Sequence, residues 1–313
     1  MARMDRLDNL RVFVAVAEAN GFAEAARRLG ISAPAVTRAI LALEQRLGVQ
    51  LLHRTTRSLR VTEAGERFLE DCRRILADLD EAEASAGGAH AVARGQLAVT
   101  APSMFGRLHV APVLLDFLEC HPQVNARTLF VDRVVNLLDE GLDVAVRIAH
   151  LPDSALTAIA VGSMRAVVVA APDYLAAHGV PRVPADLMNH RAVGFSQNGQ
   201  APSWSFYPPD NKERAARETV QPPMQIVANS SEIAISAALR GHGLARKLIY
   251  QVANEIKVGR LQIVLAEFEP APIPVQVVTL AGRKAPAKVR AFVDFAVERL
   301  RSEPVLSGAA FLA

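Results

Sequence analysis

Residues 20–65 constrain the fold most strongly, because they predict two short helices joined by a tight turn. Apolar residues of the first helix recur on one face, at Phe22, Ala25, Ala26 and Leu29. Gly30 can adopt the left-handed conformation that ends a helix sharply. Ser32 can cap the second helix, and Pro34 is tolerated in its first turn, where backbone amides lack partners. The segment therefore predicts a helix-turn-helix.

The second helix of this pair has two different faces. Its buried stripe is predicted at Val36, Ile40, Leu43 and Leu47. The opposite stripe holds Pro34, Thr37 and Arg38, which are free to enter the major groove of DNA. A helical hairpin alone is a weak signal, and the segments that follow strengthen it.

A basic hairpin, here called the wing, is predicted over residues 50–62. Leu51, Leu59 and Val61 are candidates to pack beneath the helices. The tip offers side chains suited to phosphates or to a narrow minor groove, namely Arg54, Thr55, Thr56 and Arg57. An ordinary solvated loop is the alternative for such a stretch alone. Beside a recognition-type helix, we favour contact with DNA.

Positive charge is concentrated in this N-terminal part. Residues 1–62 contain ten arginines and five acidic residues, a net charge of +5, so the other 251 residues carry −2 of the total of +3. This distribution suits phosphate binding. The hydrophobic fraction of 51% over 313 residues is sufficient for more than one core.

Several other classes of protein fit the sequence poorly. No apolar run reaches the roughly 18–20 residues of a membrane helix, and a signal-peptide core is missing, so we expect a soluble, cytoplasmic protein. Cys72 and Cys120 are too few for a disulfide framework. We find no metal-ligand spacing, nucleophile elbow or phosphate loop, and therefore expect no enzyme activity, no metal and no resident cofactor. Cys120 beside His121 leaves a catalytic pair or a redox sensor as weak alternatives.

A long helix is predicted from residue 63 to about residue 89, with Thr62 as its cap and Gly87-Gly88 as its end and hinge. Its apolar seam recurs at Phe68, Cys72, Ile75, Leu79 and Ala82. Such a helix is roughly 40 Å long, more than a compact domain needs. We predict that it joins two chains in a dimer. The alternative is a helix folded onto its own domain. Within the seam, we interpret Cys72 as a small core residue rather than as a thiol switch.

Together these motifs closely resemble the LysR-type transcriptional regulators, as far as about Arg301. The most specific stretch comprises Ala25-Ala26, Leu29, Ser32-x-Pro34-Ala35-Val36-x-Arg38-x-Ile40, Leu43-Glu44, Leu47-Gly48, Leu51-Leu52-x-Arg54, Arg57 and Thr62-x-x-Gly65. By this resemblance, Pro34, Thr37 and Arg38 would face base edges, and Ser32 and Ala35 would lie close to the DNA backbone or bases. The wing residues Arg54, Thr55, Thr56 and Arg57 would complete the contact.

Two departures from the family pattern affect base preference. Ala33 stands where the family often has glutamine, and it cannot hydrogen-bond a base. Gly21 and Ala23 stand where the family usually offers hydroxyls near phosphate. Specificity should therefore depend more on Thr37, Arg38 and the wing.

From about residue 94, strands alternate with helices, which implies an α/β fold with mostly parallel sheets. The predicted strands are 96–101, 126–131, 144–148, 157–161 and 166–171, and the predicted helices are 105–119, 134–140, 174–178, 231–240 and 286–300. The resemblance implies a two-subdomain effector domain folded like a periplasmic binding protein. We place the DNA-binding domain at 1–62, the linker helix at 63–89, the effector domain at 90–303 and a frayed tail at 304–313. Subdomain I would comprise about 94–165 plus 268–301, and subdomain II about 166–267.

A ligand cleft is expected beyond the carboxyl ends of the strands. Ser103-Met104 and Asn229-Ser230 each open a helix, whose free amides suit a carboxylate, although both serines could simply be helix caps. Asp132 and Arg147 lie at strand ends, and Arg147 could clamp a carboxylate or pair structurally with an acid. We expect Phe195 and Ser196 to line the cleft, with Trp204 either there or in the core.

The leading hypothesis is a ligand-responsive transcriptional regulator that binds an interrupted palindromic promoter site. Its partners would be double-stranded DNA, a second copy in a dimer or tetramer, a small organic anion as effector and RNA polymerase. The alternative is a small-molecule-binding protein whose basic module serves for oligomerisation. Salt-dependent binding to duplex DNA separates the two hypotheses. An enzyme that uses the cleft lacks any residue set for chemistry.

Overall fold

The computed structural model describes residues 5–54, 59–86, 92–152, 156–210, 217–280 and 285–306, with the backbone alone at 54, 77, 78 and 80–86. The chain divides into two compact units, Met1–Gly95 and Gln96–Ala313. The fold class is confirmed: a winged helix-turn-helix precedes a larger α/β part.

The first unit is built from helices that surround one small core. Its described elements are α1 (Arg6–Ala19), α2 (Phe22–Leu29), α3 (Ala33–Leu47), β1 (Leu52–Arg54), β2 (Leu59–Val61) and α4 (Glu63–Ala86). Strands β1 and β2 pair antiparallel. The core includes Phe13, Val16, Val36, Ile40 and Leu43.

The turn between α2 and α3 follows the sequence prediction. Gly30 takes the left-handed conformation, with a φ of 65°, which is a common way for a helix to end. The Ser32 hydroxyl accepts a hydrogen bond from the Ala35 amide, at 3.4 Å, and caps α3. The buried stripe of α3 ends at Leu43, because Leu47 lies in the last turn and is 38% exposed.

The wing is attached to the helices by two polar side chains and one glycine. The Glu44 carboxylate, from α3, accepts hydrogen bonds from the amides of Leu51 and Leu52, at 2.9 and 3.1 Å. The Thr62 hydroxyl accepts a hydrogen bond from the Gly65 amide, at 2.9 Å. A Cβ atom on Gly65 would overlap the carbonyl oxygen of Leu51, so only glycine allows this approach. These contacts explain the Thr62-x-x-Gly65 pattern.

Helix α4 packs on its own domain through its first half. Phe68, Cys72 and Leu76 join the core, and the rings of Phe13 and Phe68 lie 5.7 Å apart. Cys72 is fully buried there, so its assignment to a dimer seam is wrong: a buried thiol cannot reach a second chain. Phe68 is half-buried against the same core.

For the second half of α4, contact with a second chain stays a prediction. Ile75 is 43% exposed and Leu79 is half-buried. The side chain of Ala82 and residues Gly87 and Gly88 lie outside what the structure describes. A partner helix would therefore meet α4 around Ile75 and Leu79.

The second unit contains two sheets of five strands each. The described strands are β3 (Gly95–Ala101), β4 (Val124–Phe130), β5 (Val144–Ile148), β6 (Thr157–Met164), β7 (Ala166–Ala170), β8 (Ala192–Phe195), β9 (Trp204–Phe206), β10 (Glu218–Val220), β11 (Met224–Ala228), β12 (Leu244–Leu248), β13 (Gln262–Val264) and β14 (Ile273–Thr279). The first sheet has the order β4-β3-β5-β14-β6 and the second has β11-β8-β12-β7-β13. Strands β9 and β10 form a separate two-stranded ribbon.

The described helices of the second unit surround these sheets. They are α5 (Ser103–Phe105), which continues through a π-helical turn (Gly106–Val110) into α6 (Ala111–Cys120), then α7 (Pro172–His178), α8 (Ser231–Leu239), α9 (Ile249–Lys257) and α10 (Ala287–Arg301), with 3-10 turns at Pro184–Asn189 and Ala266–Phe268. Helix α10 packs on α6, where the rings of Phe117 and Phe292 lie 5.2 Å apart.

The two sheets are mixed, which corrects the expectation of mostly parallel sheets. Strands β11, β8 and β12 run parallel, as do β3 and β5. Strands β7 and β13 run antiparallel to their neighbours, and β14 runs antiparallel to β5 and β6. The antiparallel strands β6, β7, β13 and β14 are those next to the two crossovers, where the chain passes from one sheet to the other.

The helix predicted at 134–140 is wrong: residues 137–140 form a turn, and residues 134–136 have no regular structure. Val135 and Leu137 are buried whereas Val134 and Leu138 are exposed, a spacing of two that does not give one helical face. Arg147 donates a hydrogen bond to the Val135 carbonyl, and Arg127 donates to the carbonyls of Glu140 and Gly141. These guanidinium groups hold the segment by its backbone oxygens.

The predicted tail begins later than residue 304. Leu306 is 1% exposed, and its carbonyl accepts a hydrogen bond from the Ser163 amide, at 3.1 Å. Gly162 packs directly against Leu306, where a Cβ would clash. Residues 304–306 are therefore part of the packed domain, and the remainder of the predicted tail lies outside the described residues.

Within the described ranges, no helix is long and apolar enough to cross a membrane. In the same part of the chain, no group of three or more His, Cys, Asp or Glu side chains could hold a metal ion.

Candidate functional site

The first part of α3 presents the residues predicted to contact DNA. Ser32, Pro34 and Arg38 are exposed, and Ala35 and Thr37 are half-buried. The Thr37 hydroxyl donates a hydrogen bond to the Ala33 carbonyl, at 3.1 Å, so it remains able to accept one from a base. The face is small and polar, as contact with base edges requires.

Arg38 differs from its neighbours in having no partner within the described structure. Arg27 and Arg28, on α2, both bind the Glu24 carboxylate, and these hydrogen bonds and charges lower the pKa of Glu24. The guanidinium of Arg38 is therefore the available donor on this surface.

Most of the wing tip cannot be compared with its prediction. Arg54 ends β1, and its side chain lies outside what the structure describes, as do Thr55, Thr56 and Arg57. Their contact with DNA stays a prediction. Leu51, Leu59 and Val61 pack on the helical core, so the base of the wing is fixed.

The helix that opens at Ser103 already has an anionic partner in the chain. The Ser103 amide donates a hydrogen bond to Asp132 Oδ1, at 3.0 Å, and the Ser103 hydroxyl donates to the Phe130 carbonyl, at 3.2 Å. A carboxylate at a helix N-terminus satisfies both the free amides and the positive end of the dipole. Asp132 thus occupies the position that we expected an effector carboxylate to take.

A carboxylate also covers the start of α8. Ser230 caps this helix by accepting a hydrogen bond from the Ile233 amide, at 3.4 Å, and donates one to Glu232, at 2.9 Å. The backbone amide of Glu232 lowers the pKa of its own carboxyl group most, and the Ser230 hydroxyl and Arg107 lower it further. Both serines therefore act as structural groups in this structure, which was the alternative interpretation.

The guanidinium group of Arg147 binds the protein backbone rather than remaining available to clamp a ligand. Its Nη2 atom donates to the Val135 carbonyl, at 2.8 Å, and burial lowers its pKa while the charge of Glu140 opposes that shift. Glu140 is itself held by both terminal nitrogens of Arg133. These contacts favour the structural alternative for Arg147.

The remaining predicted cleft residues fall into two groups. Phe195 and Met104 are half-buried, Asn229 is exposed, and the Ser196 hydroxyl donates to Asn198. Trp204 is 3% exposed and belongs to the core of the second sheet, so it does not line a cleft.

Lys247, on β12, is a buried cation that our sequence reasoning missed. It is 4% exposed, and its Nζ atom lies 5.2 Å from the centroid of the Phe195 ring. Burial lowers the pKa of Lys247 to about 8, while the charges of Glu232 and Asp132 oppose that shift. The sequence did carry a signal: lysine is almost never fully buried without a partner, yet it stands here in a strand of the second sheet.

Tyr250, at the start of α9, is influenced by the same two carboxylates as Lys247. Its ring packs edge-on against Phe105 of α5, with centroids 5.2 Å apart, and its hydroxyl lies 3.4 Å from Gln251 Nε2. Burial raises the pKa of Tyr250, and the charges of Asp132 and Glu232 raise it further. We call Asp132, Phe195, Glu232, Lys247 and Tyr250 the Lys247 cluster.

A separate surface depression of about 420 Å³ lies between β11 and α8. Its lining residues are Gln225, Ile226, Ile233, Ser236, Ala237, Arg240 and His242. It contains none of the predicted effector residues and none of the Lys247 cluster.

Cys120 and His121 do not form a reactive pair. The His121 ring stacks on Phe117, with centroids 4.1 Å apart, and its Nδ1 atom lies 3.0 Å from the Phe117 carbonyl oxygen. Cys120 is exposed. The imidazole is therefore directed to its own helix rather than to the thiol.

Comparison with known proteins agrees with this arrangement of domains. Residues 7–66 match the family model for "Bacterial regulatory helix-turn-helix protein, lysR family", and residues 90–301 match the model for "LysR substrate binding domain". The chain belongs to the LysR family of transcriptional regulators. It therefore has a DNA-binding helix-turn-helix domain and a C-terminal effector-binding domain.

Relatives and solved structures extend over nearly the whole chain. An HTH-type transcriptional regulator of Xanthomonas campestris pv. campestris is 35% identical over 294 residues, which cover 94% of this chain and 85% of that protein. The structure of CrgA, a LysR-type regulator from Neisseria meningitidis, has 31% sequence identity and a TM-score of 0.58 to this chain. The match covers 94% of this chain and 98% of that chain. The full-length structure of AphB, a Vibrio cholerae virulence activator, has 26% sequence identity and a TM-score of 0.59 to this chain. The match covers 94% of this chain and 99% of that chain. These relatives are named regulators, and this chain is a regulator rather than an enzyme.

Proposed function

We propose that this regulator reads an interrupted palindromic promoter site as a dimer or tetramer and responds to a small molecule bound in its C-terminal domain. The observation that carries the DNA-binding proposal is the free guanidinium of Arg38 on the exposed face of α3. An arginine with an unengaged fork can bind guanine O6 and N7 with two hydrogen bonds. The N-terminal residues of a recognition helix are those that meet base edges.

The remaining DNA contacts in this proposal come from Ser32, Pro34, Ala35 and Thr37 on the same helix. The wing residues Arg54, Thr55, Thr56 and Arg57 would add contacts to the backbone or minor groove. Two copies of α3 are needed to read a palindrome, because each half-site takes one recognition helix. We propose that the exposed part of α4, around Ile75 and Leu79, brings the two copies together.

A regulator of this kind acts where bacterial DNA and RNA polymerase are found, so we place it in the cytoplasm. Effector binding would favour one quaternary state over another and so change how the recognition helices meet DNA. The Lys247 cluster supports an effector site at the carboxyl ends of the second sheet.

The substitution Arg38→Ala tests the DNA-binding proposal. We expect specific affinity to fall by about 1–3 kcal/mol and base preference to relax, because a bidentate base contact is lost. Affinities for a selected operator and for random duplex DNA would be measured at the same salt concentration.

Arg46→Ala is the matched control, since Arg46 is also exposed but lies in the last turn of α3. It should reduce affinity less and equally for both duplexes. Equal losses on operator and random DNA for Arg38→Ala would contradict the assignment. Binding that shows no dependence on salt would instead favour the oligomerisation-module alternative.

A further inference from the structure

Lys247 carries a positive charge that the described structure leaves unpaired. Its side chain is 4% exposed, and no described residue forms a hydrogen bond or an ion pair with it. A buried ammonium without a partner is strongly unfavourable. Buried polar groups in folded proteins nearly always have partners, so the position of Lys247 calls for an explanation.

The ammonium group is nevertheless not completely closed off from solvent. Among the described residues, Glu255 Oε2 is the only side-chain polar atom that lacks both a hydrogen bond and solvent-accessible surface, and it lies 2.6 Å from Arg260 Nη2. Lys247 Nζ also lacks a hydrogen bond, but it retains some solvent-accessible surface. It faces the Phe195 ring, at the carboxyl end of β8, where parallel sheets bind ligands.

Neighbouring carboxylates do not supply the missing partner. Asp132 lies close enough to influence Lys247 electrostatically, but its Oδ1 atom accepts from the Ser103 amide. Glu232 binds Arg107 and Ser230. Both acids are committed to other groups, and neither makes an ion pair with Lys247 within 4.0 Å. The free position beside the ammonium therefore suits an external anion.

The surroundings also limit the charge of that anion. One anionic group can pair with Lys247, whereas a second would be repelled by the carboxylates of Asp132 and Glu232. Like charges at short range are repulsive in a partly desolvated site. Phe195 offers an apolar surface for the rest of the molecule.

We propose that Lys247 anchors the effector, and that the effector is an organic acid with a single anionic group that pairs with Lys247 and an apolar body that lies against Phe195. This inference rests on the proposed function, because it assumes that the domain binds a small molecule. It adds the anchoring residue and the charge class. It also replaces the helix N-termini, at Ser103 and Ser230, as the anion-binding position.

The experiment uses the full-length protein and matched probes in isothermal titration calorimetry. The monoanions are benzoate and hexanoate, the neutral analogues are benzamide and hexanamide, and the dianions are terephthalate and adipate. We expect at least one monoanion to bind saturably at millimolar concentration and more tightly than its amide and its dianion. Lys247→Met should weaken that binding at least about tenfold, or about 1.4 kcal/mol.

Two further variants make the test specific. Lys257→Met removes an exposed lysine of α9 and should leave monoanion binding unchanged. Asp132→Asn retains an oxygen to accept from the Ser103 amide but removes a flanking charge, so it should reduce the preference for monoanions over dianions. Thermal unfolding of each variant checks that the fold is retained.

The proposal is overturned if no monoanion of the panel binds, if an amide or dianion binds as tightly, or if Lys247→Met binds normally. Binding of the unliganded wild-type protein to duplex DNA is measured on the same preparation. Loss of DNA binding there would count against the proposed function, whereas the outcomes above bear only on Lys247.

Discussion

The recognition helix and the effector-binding domain hold their polar side chains in opposite ways. On α3, Arg38 is exposed and makes no hydrogen bond or ion pair with another described residue. In the second unit, Ser103 is bound to Asp132, and Arg147 is bound to the Val135 carbonyl. Lys247, by contrast, is buried and makes no hydrogen bond or ion pair with a described residue. A DNA-reading surface must be free before its target arrives, whereas most polar groups around a cleft are needed to shape it.

Helix α4 places a side chain that packs within its own unit next to one that stays exposed. These adjacent residues allow the sharpest test of whether exposed groups serve binding and packed groups serve the fold. Leu76 packs on the core of the first unit, and Ile75 is 43% exposed. Leu76→Asp would place an unpaired carboxylate in that core, and we expect a loss of about 2–4 kcal/mol in the free energy of unfolding. Thermal unfolding and circular dichroism would measure it.

Ile75→Asp is the matched substitution on the neighbouring residue. It should change the stability of the folded monomer by no more than about 0.5 kcal/mol. It should dissociate the dimer, because a charge would lie between the paired helices. Analytical ultracentrifugation would show this shift. An unchanged oligomer with Ile75→Asp would mean that assembly does not use this face of α4.

The sequence was a good guide where function depends on a single element. Gly30 and Ser32 define the ends of two helices by local chemistry, and the exposed stripe of α3 follows from helical periodicity. Strand 144–148 was predicted with the bounds that the structure shows. Local pattern is sufficient in these cases because every interacting residue is near in sequence.

The sequence was a poor guide where function depends on a distant partner. Asp132 lies 29 residues from Ser103, and no local pattern shows that it covers that helix. The backbone of residues 134–140 accepts hydrogen bonds from Arg127 and Arg147, which lie 12 to 13 residues away from the carbonyls they bind. Lys247 could have been noticed as a charge in a buried strand, but its separation from Asp132 and Glu232 could not.

A second, smaller effect tests the structural role of Arg147. Arg147→Ala removes a charged hydrogen bond to the Val135 carbonyl, and we expect a loss of about 1.5–3 kcal/mol in the free energy of unfolding. Ser103→Ala removes only the hydroxyl bond to the Phe130 carbonyl, and retains the amide bond to Asp132, so about 0.5–1.5 kcal/mol is expected. Chemical denaturation would compare the two variants. An Arg147→Ala protein of normal stability that no longer responds to its effector would restore Arg147 as a ligand clamp.

The smallest effect concerns the pH dependence of anion binding. Burial lowers the pKa of Lys247 to about 8, and only its protonated form can pair with an anion. Affinity for a monocarboxylate should therefore be constant below that pKa and fall as the pH rises through it, by about tenfold per unit. The charged groups that face Lys247 are Asp132 and Glu232, with Arg107 bound to Glu232. Hydrogen bonds lower the pKa of Glu232, and burial raises that of Tyr250, so neither group loses or gains a proton in this range.

Titration calorimetry with benzoate between about pH 7 and pH 9 measures this profile. Lys257→Met should retain the decline, because its lysine is exposed and lies on the neighbouring helix. Residual binding by Lys247→Met should show no decline in the same interval. A flat profile in the wild-type protein, despite measurable benzoate binding, would show that the anion pairs with a group other than Lys247. The effector would then be bound by an exposed cation, as we propose for DNA and Arg38, rather than by a buried one.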